Sequence, residues 1–331
     1  MFEVIDMHCD TIPGLQWEMR KGEPKELGKN TMQIDLEKLK NGGYLCQCFS
    51  LFTHLGSLKK TGETPYEYVK GLARFWQEEI GRYPDQIRQV RSYEDLMKTK
   101  ADGKIGALMS VEEGGVYEGS LENLRALYEM GVRMSTITWN YPNELGYPNP
   151  EQIPGEPYRY DTRQGLTETG ITFVEEMERL GILIDISHLN DAGIRDVFAH
   201  TTGPVLASHS NARGVCGHAR NLSDEMIRAL AERGGVTGIN FCPGFLRDQA
   251  EKSEAFVSDM IQHIKYLRNI GGIDVIGLGT DFDGFGGKVE ITDAGCMQKL
   301  ADGMSIAGFT DSEIEKVFSG NVLRVFREVL R

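Results

Sequence analysis

The sequence predicts an α/β fold, a closed (β/α)8 barrel of TIM type, on three observations. Eight short apolar runs are rich in β-branched residues, amphipathic helical stretches separate them, and glycines stand at several junctions where a helix gives way to a strand. Barrels of this kind commonly exceed about 200 residues as one unit, so the 331-residue chain is expected to form a single domain, 1–331, with extra C-terminal helices.

The candidate strands are 2–8, 44–51, 104–111, 132–138, 182–187, 205–208, 236–241 and 275–279. Helical patterns at 66–82, 121–130, 165–180, 191–199, 224–233 and 255–269 link strands in the order a βα repeat requires. Two more follow the last strand, at 294–307 and 311–330. Thr310 with Glu313 three residues on predicts a capping box for the second. Gly131, Gly181, Gly234, Gly235, Gly271 and Gly272 precede strands, where a helix can end in the left-handed conformation that glycine tolerates. The longest irregular piece, 140–163, follows the fourth strand and is expected to lie over the barrel mouth.

Composition excludes several classes of function. With 40% hydrophobic and 26% charged residues the chain is not of disordered type. A net charge of −13 repels phosphate backbones and anionic lipid, so neither nucleic acid nor a membrane is expected as a partner. There is no run of about 18 apolar residues to span a bilayer. The six cysteines form no CxxC pair, and the segment opening at Met1 lacks a signal peptide's basic region and apolar run. Reduced thiols and a cytoplasmic location are the expectation; self-association is left open.

The chemistry is expected where ligand-type residues end strands. His8 and Asp10 end the first, Glu112 the third, His188 the fifth, His209 the sixth and Asp281 the eighth. In a (β/α)8 barrel these ends share one face, so residues distant in sequence converge. His8 and Asp10, two apart on an extended segment, point the same way. Each alone reads as a solvated or backbone-satisfied strand end. Three histidines and two carboxylates buried together, however, cost free energy unless a cation or hydrogen bonds compensate. Such N/O ligands suit zinc, with manganese or cobalt as alternatives. Two ions bridged by a carboxylate, for which Glu112 is chosen, can hold a hydroxide between them.

The segments Asp6-Met7-His8-Cys9-Asp10, Val111-Glu112-Glu113-Gly114-Gly115, Asp185-Ile186-Ser187-His188, Ser208-His209-Ser210, Ala219-Arg220-Asn221, Gly279-Thr280-Asp281-Phe282-Asp283-Gly284 and Gly320-Asn321, taken in order, carry a resemblance. With them the chain resembles the membrane (renal) dipeptidase family of zinc peptidases, family M19, over nearly its whole length. The resemblance implies a metallo-dependent hydrolase-like barrel that cleaves dipeptides, L,D-dipeptides among them, with two Zn2+ per chain. By it, His8, Asp10 and Glu112 would bind one zinc, and Glu112, His188 and His209 the other. Arg220 would clamp the substrate's free carboxylate, a bidentate task suited to guanidinium, and Asp281 would carry a proton to the leaving amine. Ungapped matching from both sides selects Glu112 over Glu113, and strand alternation points the two to opposite sides.

The chain departs from the family at two places. Many members carry a histidine where Trp139 stands, and indole donates one hydrogen bond but accepts no proton. Whether Trp139, Asn140 or a loop residue serves there is open; both are expected to touch substrate. Cys242 follows Asn240-Phe241 where a tyrosine is frequent. Of the other histidines, His200 and His263 read as structural, while His54 and His218 lie in loops on the active face. The rival functions are an amidohydrolase acting on a cyclic amide or N-acyl amino acid, and a barrel that binds metal without catalysis.

Overall fold

The computed structural model describes residues 1–59, 62–153, 155–248 and 254–330. Eight parallel strands form the expected closed barrel: β1 (Val4–Asp6), β2 (Tyr44–Phe52), β3 (Ile105–Glu112), β4 (Val132–Thr136), β5 (Leu183–Asp185), β6 (Leu206–Ala207), β7 (Val236–Ile239) and β8 (Ile276–Leu278). They run in the order β2-β1-β8-β7-β6-β5-β4-β3, and β3 returns to β2 along a register from Cys46↔Gly106 to Phe52↔Glu112. The observed strands are mostly shorter than the apolar runs, because the last residues of each run leave the ladder to form the mouth.

Side-chain alternation sets the barrel's layers. Leu108, Met134, Leu183, Leu206 and Val236, from five neighbouring strands, belong to one buried cluster, against which Val322 and Phe326 of the helix Asn321–Val329 pack. Burying a side chain of this size stabilises by roughly 1.5–3 kcal/mol. Two residues on, and so on the same face, stand the buried polar residues Ser110, Thr136, Asp185 and Ser208. Glu112 lies two further again, at the mouth. The interior thus changes from apolar to polar to ionisable along the strand direction.

Several helices were not foreseen: Thr11–Arg20, Leu36–Gly42 and Tyr93–Ala101. The last two carry ordinary caps, with Asp35 accepting from Lys38 N–H and Ser92 from Asp95 N–H. A short extra strand, Ile87–Gln89, pairs with Ile105–Ala107 on the β3 edge that β4 takes up from Met109 onward. The stretch expected as one helix at 255–269 is Val257–Gly271, preceded by Glu254–Ala255, which pairs with Lys288–Val289. That at 165–180 starts at Glu168, where Thr167 caps it. The stretch 294–307 divides into a 3-10 turn, Ala294–Cys296, and the helix Gln298–Ile306. The final helix is divided by a π-type turn, Lys316–Gly320, after the expected Thr310–Glu313 capping box. Asn321 then donates to Ile273 O and Ile276 O, each at 2.8 Å, tying this helix to the start of β8. Among the described residues no helix is long and apolar enough to cross a membrane.

Candidate active site

His8, Asp10, Glu112, His188, His209 and Asp281 meet at the C-terminal mouth of the barrel. Glu112, only 3% exposed, is the centre. Its Oε2 lies 3.4 Å from His8 Nε2, and its Oε1 lies 3.0 Å from His188 Nε2 and 3.6 Å from His209 Nε2. His8 Nε2 is also 3.6 Å from Asp10 Oδ2 and 3.8 Å from Asp281 Oδ1. Three overlapping groups, His8-Asp10-Glu112, Glu112-His188-His209 and His8-His209-Asp281, are each close enough to hold one ion.

The hydrogen bonds behind the site fix which ring nitrogens face inward. Ser208 Oγ has one proton, and Asp185 Oδ2 takes it at 2.6 Å. The 2.6 Å contact of Ser208 Oγ with His209 Nδ1 must therefore use the ring's N–H, which leaves a lone pair on Nε2. Asp185 is itself held by Ser187 N–H, Ser208 N–H and Thr136 Oγ1. Asn140 Oδ1 stands 3.0 Å from His188 Nδ1 and accepts its proton, leaving Nε2 free there too. Asn240 Nδ2 donates to Asp281 Oδ2 at 2.9 Å, so the other oxygen is the one turned towards His8.

Burial dominates the electrostatics. Burial, with Arg220 nearby, holds the His188 imidazole down at about 4. Burial and the neighbouring His8 keep His209 well below the usual imidazole range. Burial opposes the charge on His8 as well, but Glu112 and Asp10 outweigh it and hold its proton well above that range. Glu112 goes the other way: His8 and His188 overcome the burial cost and keep its carboxyl well below the usual value. Burial pushes Asp281 up to about 7, Asp10 and Glu112 adding to it against the pull of His8.

The donor set fits cations. His8 Nε2 and Asp10 Oδ1 are buried with no hydrogen-bond partner among the described residues. Two inward lone pairs, on His188 and His209, aim at the same carboxylate oxygen. A metal ion would satisfy these converging nitrogens and carboxylate oxygens together, taking the place of the proton that the carboxylates otherwise hold on His8.

The backbone is strained at the same place. Among the described non-glycine residues with left-handed φ are His188 (68°), Asp281 (63°) and Asp283 (65°). Such conformations cost about 1–3 kcal/mol each and persist where surrounding structure enforces them. Gly284 allows close approach: a Cβ there would meet Asp10 Oδ2 and would stand 2.6 Å from Asp281 Oδ1.

Arg220 is buried beside the cluster. It donates from Nη1 to Ser210 Oγ and from Nη2 to His209 O, at the long distances of 3.3 and 3.4 Å, and its Nε has no partner among the described residues. Its guanidinium lies 5.4 Å from the Phe245 ring centre. Trp139 stands at the mouth with its ring 6.2 Å from His188. Cys242 lines the cavity, its thiol pushed up to about 11 by burial and Asp281.

Glu113 is engaged away from the Glu112 cluster, consistent with the two pointing to opposite sides. It accepts from Gly115 N–H (2.7 Å), Asn143 Nδ2 (2.6 Å) and Trp139 N–H (3.0 Å), anchoring the loop after β4. Sequence reasoning did not assign that anchor, nor Asp185, Ser208 and Asn240 as supports of the site. The signal for Asp185 and Ser208 was their place three and one residues before the strand-end histidines, each two residues on from an inward leucine, Leu183 or Leu206, so that alternation turns them into the barrel. His54, in its loop, accepts from Ser57 N–H at Nδ1 and contacts Tyr141 Oη at 3.0 Å. His218 Nδ1 accepts from Arg220 N–H.

A closed parallel barrel whose strand ends gather histidines and carboxylates around one point is the architecture of the metallo-dependent hydrolases. The chain belongs to the membrane dipeptidase family, peptidase family M19, whose profile matches residues 1–331. Dipeptidase aclJ of Aspergillus oryzae is 31% identical over 90% of this chain and 70% of its own length. Dipeptidase 3 of Rattus norvegicus is 33% identical over 99% of this chain, which spans 65% of that protein. Among solved structures, a metallopeptidase from Rhodobacter sphaeroides, liganded with a phosphinate mimic of the dipeptide L-Ala-D-Ala, superposes with a TM-score of 0.89 at 26% identity, covering 100% of this chain and 99% of the other. Family and neighbours together make this a metallopeptidase of dipeptidase type.

Proposed function

We propose that the protein hydrolyses the peptide bond of free dipeptides, including those with a D-residue in second place, at a binuclear zinc centre. His8, Asp10 and Glu112 would hold one ion and Glu112, His188 and His209 the other, with Glu112 spanning both. The observation that carries this reading is the convergence of His8, His188 and His209 Nε2 on the two oxygens of Glu112, with His8 Nε2 and Asp10 Oδ1 buried without a hydrogen-bond partner among the described residues. When bound, a pair of such ions supplies an acidified water and polarises the scissile carbonyl.

The remaining work falls to the chain's own side chains. Asp281 takes the proton released by the attacking water and passes it to the leaving amine; its affinity for protons, pushed up to about 7, suits that exchange near neutral pH. Asn240 holds one of its oxygens so that the other faces the reacting centre. Arg220, with a free Nε and two long hydrogen bonds, grips the substrate carboxylate, so a free C-terminus is required and longer peptides are poor substrates. Asn140 acts on His188 by accepting its Nδ1 proton, and Trp139 walls the cavity. The dipeptide in the Rhodobacter sphaeroides structure's ligand, L-Ala-D-Ala, supports the inclusion of L,D-substrates.

Elemental analysis of protein purified in zinc, beside assays on L,L- and L,D-dipeptides, tripeptides and N-acyl amino acids, tests this. About two equivalents of metal with turnover confined to dipeptides is expected. Less than one equivalent and no dipeptide turnover would overturn it.

A further inference from the structure

The cavity above the Glu112 cluster is about 470 Å3, and among the residues that line it are Phe52, Trp139 and also Phe245, whose ring centre is 5.4 Å from the buried Arg220 guanidinium. Arg220 follows β6, and in the ring of eight strands β2 is four places from β6 in either direction, directly across the mouth. The last residue of β2 is Phe52, whose ring meets that of Trp139 edge-on at 4.8 Å. On the helix that follows β1, Trp17 lines the same cavity while remaining 60% exposed. An exposed tryptophan at a cavity rim is apolar surface that a ligand can cover.

Position then decides orientation. On the dipeptidase reading above, the substrate carboxylate is held at Arg220 and the scissile bond lies over Glu112. The first residue of the dipeptide must extend away from Arg220, towards the opposite wall of Phe52 and Trp139. That wall is fixed before substrate arrives. The Trp139 backbone N–H is held by Glu113, and its ring packs against His54 and Tyr141, at 5.3 and 5.4 Å, which are themselves hydrogen-bonded to each other. A rigid aromatic wall rewards a side chain that fills it. Asp10, Asp281 and Asp283 line the same cavity and oppose an acidic one.

We propose that Trp139 and Phe52, together with Trp17 from the same cavity lining, form the pocket for the side chain of the substrate's first residue. The pocket selects dipeptides beginning with a bulky apolar residue, aromatic or branched aliphatic, over those beginning with Ala, Gly or an acidic residue. Placing an indole where an imidazole is frequent in the family thus sets specificity in this chain.

The test is kcat/KM of the metal-loaded protein for dipeptides that share one second residue and begin with Phe, Leu, Ala or Glu. It is paired with calorimetric binding of reduced-amide analogues (CH2–NH in place of CO–NH) beginning with Phe or Ala. The Phe-to-Ala ratio is expected to be about tenfold or more, a range one apolar pocket can supply, with Glu below Ala. Trp139→Ala should bring the ratio down about tenfold. Trp17→Ala, at an exposed site where folding is not at stake, should bring it down about threefold. A wild-type ratio near one, or a ratio unchanged in both variants, overturns the pocket assignment while leaving dipeptide hydrolysis standing. Should no dipeptide be turned over, hydrolysis is what fails, and the analogues decide the pocket by the same ratio: tighter binding of the Phe analogue that depends on Trp139 supports it, and equal binding of both overturns it.

Discussion

His188 Nε2 and His209 Nε2 lie 3.0 Å apart, each carrying a lone pair because its Nδ1 proton is given to Asn140 and Ser208 respectively. Two neutral imidazoles turned lone pair to lone pair repel unless something positive sits between or beside them. Glu112 Oε1, within 3.6 Å of both, adds a third acceptor. A bound cation would satisfy all three acceptors at once, so folding stability and metal occupancy should be linked.

Removing metal with a chelator should lower the melting temperature by several degrees, and zinc should restore it. His209→Ala should reduce bound metal from about two equivalents to about one. Scanning calorimetry beside elemental analysis measures both, and a variant that still holds two equivalents would remove His209 from the ligand set.

The Asp185–Ser208–His209 chain should tune affinity without touching an ion. Ser208→Ala frees the Nδ1 proton of His209 and lets the ring turn, which for supporting residues of this kind typically weakens metal binding about 10–100-fold. Competition against a chromophoric chelator reads the change directly; an affinity equal to the wild type would make Ser208 a packing residue only.

Asp281→Asn keeps the side chain's shape, and asparagine tolerates the left-handed backbone found there. Metal content should stay as in the wild type while dipeptide turnover falls at least about 100-fold. Retained turnover would place the proton carrier elsewhere.

The barrel and its convergent site were legible in the sequence because both rest on periodic signals. Apolar runs fix the strands, and ligand-type residues just past them must share one face. What was not legible is what lacks a period. The strand Ile87–Gln89 spans three residues, and the helix Thr11–Arg20 is interrupted in pattern by Pro13 and Gly14 and has no side-chain cap. The caps of Asp35 and Ser92 were there to be read, but each precedes a helix short enough to pass for a loop. Within the site, matching to the family selects Glu112, and alternation turns Glu113 to the other side. Beyond Gly115, the partners of Glu113 lie more than twenty residues on, at Trp139 and Asn143, contacts that only the folded chain displays.

Gly284→Ala should disable the site while leaving the barrel folded. The added methyl would strike Asp10 Oδ2 and crowd Asp281 Oδ1, so both carboxylates must swing away from His8. Loss of bound metal with an unchanged circular dichroism spectrum is the expected pair of results. Full metal occupancy would mean that neither carboxylate's position matters.

His263, fully buried away from the metal cluster, should make the protein acid-sensitive. Its Nδ1 accepts from Ala212 N–H at 3.1 Å and its Nε2–H donates to Leu246 O at 3.1 Å, joining the segment after β6 to the turn that carries Phe245. Both bonds require the neutral ring, and burial holds its pKa down at about 4. An unfolded chain protonates the same histidine near the ordinary value of about 6.5. Between these two values the unfolded state binds more protons than the folded state, so stability is full above pH about 6.5 and falls as pH drops towards 4. Lost in full, the contribution is about 3 kcal/mol. His263→Gln cannot titrate. It should be less stable than the wild type at pH 7.5, and the gap should narrow steadily by pH 4.5 in urea denaturation of the two proteins side by side. A gap that stays constant across that range would show that His263 does not change its proton occupancy on unfolding.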